Sequence, residues 1–174
     1  LMHSEVSEIV GGDGQQAHGV RCETCAYGVL KDVEITAISG GLHEDAVALA
    51  LIDPLASVDL SDVRIDGVVS AAADDEIGPG DAVGIDISSP GGIQAAVTAQ
   101  DLWVTHVSVS SILGPDDAPI GVARGLRVDM AGLMTLSRGV FGSISNLNET
   151  PPMEETAGAV ELLAASHVNL SHLT

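Results

Sequence analysis

The chain has 174 residues, a length suited to one domain, with 45% hydrophobic residues and one each of Trp, Tyr and Phe. Its 25 acidic residues face six basic ones, Lys31 the only lysine, and the formal net charge of −19 repels nucleic-acid backbones and anionic lipid, so neither is an expected partner. No apolar run approaches the ~20 residues of a membrane-spanning helix, so no membrane span is expected.

Residues 1–17 show no repeating apolar pattern and hold Gly11, Gly12, Asp13, Gly14, Gln15 and Gln16; they are read as a flexible lead-in or cap. Residues 18–174 read as one repeating domain. It opens on the short strand Gly19-Val20-Arg21-Cys22, followed by Gly28, Leu30, Val33, Ile35 and Ile38 at positions 1, 3, 6, 8 and 11 of a window. After the loop 40–45 come a strand over 46–51 and the same window at Val58, Leu60, Val63, Ile65 and Val68. The acidic loop 73–81 precedes a strand over 82–87, and the window returns at Leu102, Val104, Val107, Val109 and Ile112. The loop 114–119 leads to an opening at Ile120-Gly121-Val122. The fourth window then falls either on Ser137, Gly139, Gly142, Ile144 and Leu147 by loop phase, or on Leu126, Val128, Ala131, Leu133 and Leu136 by hydrophobicity; with the first, Phe141 and Met134 would fill the space beside the glycines. A loop over 148–155, a strand over 159–162 and the window Leu163, Ala165, Val168, Leu170 and Leu173 close the chain.

This spacing has a period of five, neither the 3.6 of a helix nor the 2 of a long strand. Two inward residues one apart make a short strand, and the two-residue step between pairs is a bend that returns the next strand's side chains to the same interior. Such a chain coils, and each coil leaves an apolar edge until another stacks on it. Stacking by window predicts one inward column of Val33, Val63, Val107 and Val168 and another of Ile35, Ile65, Val109 and Leu170. At the bends it predicts a polar ladder of Asp32, Asp62, His106 and His167. Outside, Glu34 should lie one strand spacing from Arg64 as an exposed pair worth well under ~1 kcal/mol. Trp103 points outward, suited to a sugar ring or to a packing contact with another chain.

The Gly-Val and Ala-Val openings, with runs such as 32–40 and 107–112, resemble the right-handed parallel β-helix repeats of the pectin-lyase-like superfamily over roughly residues 19–173. The resemblance implies an all-β solenoid of about five coils. It leaves the activity open, since that superfamily includes polysaccharide lyases, glycoside hydrolases, phage tailspikes, adhesins and surface-layer components. Members resembling pectate lyase hold calcium with clustered acids, and those resembling polygalacturonase carry Asn-Thr-Asp, Asp-Asp, Gly-His-Gly and Arg-Ile-Lys signatures on consecutive coils. None of these signatures stands on the strands here. The outward positions of the opening strands read Arg21; Ala48 and Ala50; Gly84 and Asp86; Gly121 and Ala123; Glu161, leaving Asp86 without a second acid in its column.

Two groups could carry chemistry. Asp74, Asp75, Asp116 and Asp117 cluster in loops with glycine-permitted turns, the ligand type calcium takes, and calcium is the one cofactor the chain suggests. Cys22 and Cys25, with His18, could hold zinc; the same cysteines could instead form a local disulfide or serve as reduced core thiols. The expected function is structural and non-catalytic: an acidic spacer or interaction module in a cell-surface, extracellular or appendage assembly. The end coils should meet other subunits or a continuation of the same polypeptide. The alternative is a carbohydrate-active enzyme or a carbohydrate-binding module.

Overall fold

The computed structural model describes residues 1–12, 14–25, 28–41, 44–55, 57–72, 80–92, 95–111, 121–129, 132–148, 157–163 and 167–174, and every element among them is a β-strand. Long strands β1 (Met2–Val10), β3 (Gly28–Ser39), β5 (Val58–Ala72), β7 (Ala96–Ser111), β9 (Leu133–Asn148) and β11 (His167–Leu173) alternate along the chain with short ones. The short ones are β2 (Ala17–Glu23), β4 (Ala46–Ile52), β6 (Ala82–Ser88), β8 (Ala123–Asp129) and β10 (Gly158–Leu162). Each strand pairs in parallel with the next but one, giving a six-stranded sheet β1-β3-β5-β7-β9-β11 and a five-stranded sheet β10-β8-β6-β4-β2. β1 lies within the stretch read as a lead-in or cap.

The period of five has a backbone cause. In the long strands one residue before each new inward pair adopts positive φ, and these residues stack across the sheet in two lines. The first holds His3, Asp32, Asp62, Asp101, Arg138 and His172; the second holds Glu8, Ala37, Gly67, His106 and Ser143. A left-handed residue turns the pleat so that the following side chain points inward again, and Asp is among the residues that tolerate it best. Repetition in every turn lets the strands stay paired through the bend.

The inward residues form stacked columns. Val33, Val63, Leu102, Gly139 and Leu173 share one, and Ile35, Ile65, Val104 and Phe141 the next. The window therefore holds, with β7 and β11 displaced by one unit of five from the expected register. Val107 stands over Val68 instead of Val63, and Val168 is in line with Val58. The reason is degeneracy: the inward residues of β7 come as three aliphatic pairs from Val97 to Val109, and the window can be started at Val97 as well as at Leu102. In β9 neither expected placement is right. Its inward residues include Met134, Leu136, Gly139, Phe141 and Ile144, and Leu126 and Val128 belong to β8 in the other sheet. The Phe141 ring does fill the space beside Gly139, where an added Cβ would lie 2.8 Å from its Cε2.

The two sheets fit by size across one core. The five-stranded sheet offers the column Gly19, Ala48, Gly84, Gly125 and Ala159. A Cβ at Gly19 would meet Ile35 Cγ2 at 2.7 Å, one at Gly84 would meet Val104 Cγ1 at 2.4 Å, and one at Gly125 would meet Phe141 Cδ1 at 2.8 Å. Small residues on one wall thus make room for the large column on the other. Ala48, Gly84 and Ala123 accordingly face inward, contrary to the outward positions expected for them, and the strand expected at 120–122 begins at Ala123.

Candidate functional site

Among the described residues a dense set of charged side chains lies on the outer face of the five-stranded sheet. Two carboxylates stand just before their strands and clasp the next turn: Asp45 Oδ1 accepts the Asp81 N–H at 2.8 Å, and Asp81 Oδ1 accepts the Val122 N–H at 2.9 Å. Beyond them runs the cross-strand column Arg21, Ala50, Asp86, Arg127 and Glu161. Arg127 donates to both oxygens of Asp86, Nε at 3.0 Å and NH2 at 2.9 Å, and reaches Asp81 at 3.4 Å. Arg124 donates to Asp81 at 2.8 Å and forms an ion pair with Glu161 Oε2, which is not aligned as a hydrogen bond.

Beneath these charges Val47, Ala50 and Val83 form a small, nearly solvent-free apolar floor. Burial explains why the pairs are bidentate or shared: a half-desolvated charge needs each lone pair answered. The Asp86 carboxylate holds the Arg127 guanidinium above its ordinary pKa, against the opposing effect of burial. Asp86 is thus an anchor for a guanidinium, and its column does contain a second acid, Glu161, with Arg127 between them. The expectation of an isolated Asp86 failed because Arg124 and Arg127 were not recognised as belonging to a strand. The alternation Ala123, Gly125, Leu126 and Val128 against Arg124 and Arg127 was the available signal.

His18 stands on the same outer face, in register with Val47. Its Nε2 lies 3.0 Å from Arg21 NH1, and its Nδ1 is buried with no hydrogen-bond partner among the described residues. Burial, then the Arg21 charge, pushes the His18 pKa below its usual value. Cys22 is in register with Leu51 and packs against the core, and its sulfur meets that of Cys25, with the Cα atoms 6.0 Å apart. The structure therefore brings Cys22 to Cys25 and keeps His18 with Arg21. Among the described residues no group of three or more His, Cys, Asp and Glu is arranged to hold a metal ion. Asp74, Asp75, Asp116 and Asp117 lie outside the described residues.

The outer face of the six-stranded sheet carries exposed ladders. In the first bend line His3 Nδ1 lies 2.7 Å from Asp32, and Arg138 binds both oxygens of Asp101 at 2.6 and 2.5 Å, which lowers the Asp101 pKa. In the second, His106 Nδ1 lies 2.6 Å from Asp66 Oδ1, which also accepts from Thr105 Oγ1 at 2.8 Å; the two bonds hold the Asp66 carboxyl below the usual range. His106 is therefore a bend residue, as expected, but in line with Gly67 and not with Asp62. His167 pairs with Leu133, and the bend position belongs to His172. Glu34 and Arg64 are cross-strand partners as expected, and the Arg64 guanidinium also lies 5.4 Å from the Trp103 ring centre. A shallow groove of about 290 Å³ beside them is lined by His3, Glu5, Asp32, Glu34, Asp62 and Arg64. Its lining sets four carboxylates beside His3 and Arg64.

Comparison of the chain with protein families, curated proteins and solved structures found no match.

Proposed function

We propose that the chain is a right-handed parallel β-helix of about five coils that serves as a stiff, acidic spacer or interaction module in a cell-surface, extracellular or appendage assembly. The right-handed winding follows the strong preference of parallel crossover connections. What carries the functional reading is the direction of the charged contacts. Asp45 to Asp81, Asp81 to Val122, Asp86 to Arg127 and Asp101 to Arg138 all run from one turn to the next, bracing the stack instead of meeting around a cavity. Such braces resist sliding and bending, as a spacer requires. The −19 charge keeps neighbouring copies apart and suits a solvated exterior.

Immunogold labelling of the source cells tests the placement: gold on the outer surface or on appendages is expected, and gold confined to the cytosol overturns it. The carbohydrate-active alternative is tested by incubating the chain with polyuronates with and without calcium. No release of sugar ends is expected. Calcium-dependent turnover that disappears in Asp86→Ala would replace the spacer reading with an enzyme.

A further inference from the structure

Thr24 is held in a backbone conformation that its side chain disfavours. Its φ is 52°, and among the described non-glycine residues with positive φ it is the one that is β-branched. A branched β-carbon crowds the backbone there, so such a residue keeps that conformation only where its surroundings hold it. Asp53, just after β4, is bent alike with φ 46°, but Asp tolerates the bend, and its Oδ1 accepts from Ser89 Oγ and from the Gly91 N–H, each at 2.9 Å. The Thr24 hydroxyl instead donates to the carbonyl of its own neighbour, Glu23, at 2.8 Å. What encloses Thr24 is the four-residue ring closed by the sulfurs of Cys22 and Cys25. Two backbone hydrogen bonds tie that ring to the following turn: the Thr24 N–H donates to the Ile52 carbonyl and the Leu55 N–H to the Cys25 carbonyl, each at 2.9 Å. Both cysteines are half-buried, so the ring is within reach of a small solute.

We propose that Cys22 and Cys25 form a redox-operated latch: as a disulfide they fix the left-handed Thr24 and dock residues 23–25 on residues 52–55, and reduction by a dithiol releases both. The latch goes beyond the spacer reading and does not depend on it. A thiolate of the dithiol attacks the Cys25 sulfur, because Cys22 packs against the core. The bond between the two cysteines breaks, Cys25 is left in a mixed disulfide, and Cys22 leaves as a thiolate that takes up a proton. The second thiol of the dithiol, giving up its proton, attacks its partner sulfur in the mixed disulfide, and Cys25 leaves as a thiolate and is protonated in turn. Two electrons and two protons have then passed from the dithiol, now a cyclic disulfide, to the cysteines. With the ring open Thr24 relaxes to negative φ and the Cys25 carbonyl turns away from Leu55. β2 stays paired with β4 from Ala17 to Glu23, so the release is local.

Amide hydrogen exchange of the 174-residue chain, read residue by residue by NMR with dithiothreitol as the reductant, tests the latch. The Thr24 and Leu55 amides should exchange about tenfold faster or more after reduction, while those of Ile35 and Ile65 keep their rates, and reoxidation should restore the protection. Cys22→Ser/Cys25→Ser should exchange fast at both amides with or without dithiothreitol. Thr24→Gly, which takes the bend without crowding, should keep Leu55 protected through reduction. Equal exchange at Thr24 and Leu55 in the two redox states, thiols that stay free under oxidation, or acceleration throughout both sheets refutes the latch. A loss of Leu55 protection in reduced Thr24→Gly as large as in the unaltered chain refutes the part given to Thr24.

Discussion

Gly84→Ala adds a single methyl group where one sheet packs tightly on the other, and its cost follows from the packing. The new Cβ would stand 2.4 Å from Val104 Cγ1 and 2.6 Å from the Gly125 carbonyl oxygen. Carbon atoms pack at about 3.5–4.0 Å, so Val104 or the sheet must retreat by more than ~1 Å. Val104 is fully buried and its β-branched side chain is restricted at χ1, which leaves little room to give. Overpacking of this kind costs about 1–3 kcal/mol. Loss of glycine's freedom in the unfolded chain offsets about 0.4–1 kcal/mol of that, since Gly84 has no positive φ to defend. A net loss of about 1–2 kcal/mol should lower Tm by about 2–8 °C in a chain of this length. Urea unfolding of Gly84→Ala, Val104→Ala and the double variant closes a cycle. The double variant should be less damaged than the sum of the singles, because truncating Val104 removes the atom in the way. A neutral Gly84→Ala, or strict additivity, would show that the sheets do not meet as described. Ala48 and Ala159 in the same column show that alanine itself is acceptable in other strands of the sheet.

Arg127→Met should cost about 1.5–3 kcal/mol in urea unfolding, because it strips the bidentate partner from a largely buried carboxylate; Asp86→Ala added to it should recover much of the loss, as Ala50 already occupies that column. His18 is harder to protonate folded than unfolded, so the unfolded state binds more protons just below pH ~6.5 and stability falls as the pH drops through that range; His18→Gln should flatten this slope in pH-dependent unfolding. Asp66 is easier to ionise folded, so its contribution is present above the unfolded carboxylate pKa and is lost as pH falls through the lower folded one. His106→Ala should raise the Asp66 pKa in a carboxyl NMR titration, and no change would unseat the His106 bond. Thiol titration of the unreduced chain should find no free thiol if Cys22 and Cys25 are oxidised, and Cys22→Ser should then cost about 2 kcal/mol or less, the chain-entropy value for so short a loop.

The architecture was legible because it is written in a spacing the backbone enforces. A left-handed bend every five residues needs Asp, Gly or another tolerant residue just before each inward pair, and Asp32, Asp62 and Gly67 stand there in the sequence. The charged face of the five-stranded sheet was harder to see. Its strands are short, β4 and β6 are buried on both faces and read as plain apolar runs, and their polarity shows only when Asp86 is set beside Arg127, forty-one positions later. Local sequence carries no trace of such a distant pairing.

Register is where the two kinds of information part. Sliding β7 by five residues along β5 keeps aliphatic over aliphatic and bend over bend, so the inward pattern cannot tell the two alignments apart. Two things do. The slip would carry Val97 and Ala99, both buried, off Val58 and Leu60 and expose an inward pair, forfeiting up to about 1.5–3 kcal/mol for the valine alone. It would also part Asp66 from Thr105 and His106, and Asp101 from Arg138. The exposed contacts are each worth under about 1 kcal/mol, so strand overlap sets the alignment and the side-chain ladders refine it. Overlap depends on where each loop lets the chain re-enter the sheet, and loop length varies from turn to turn while the spacing within strands does not. A window read along the strands alone therefore finds the stacked parallel strands and misses the phase.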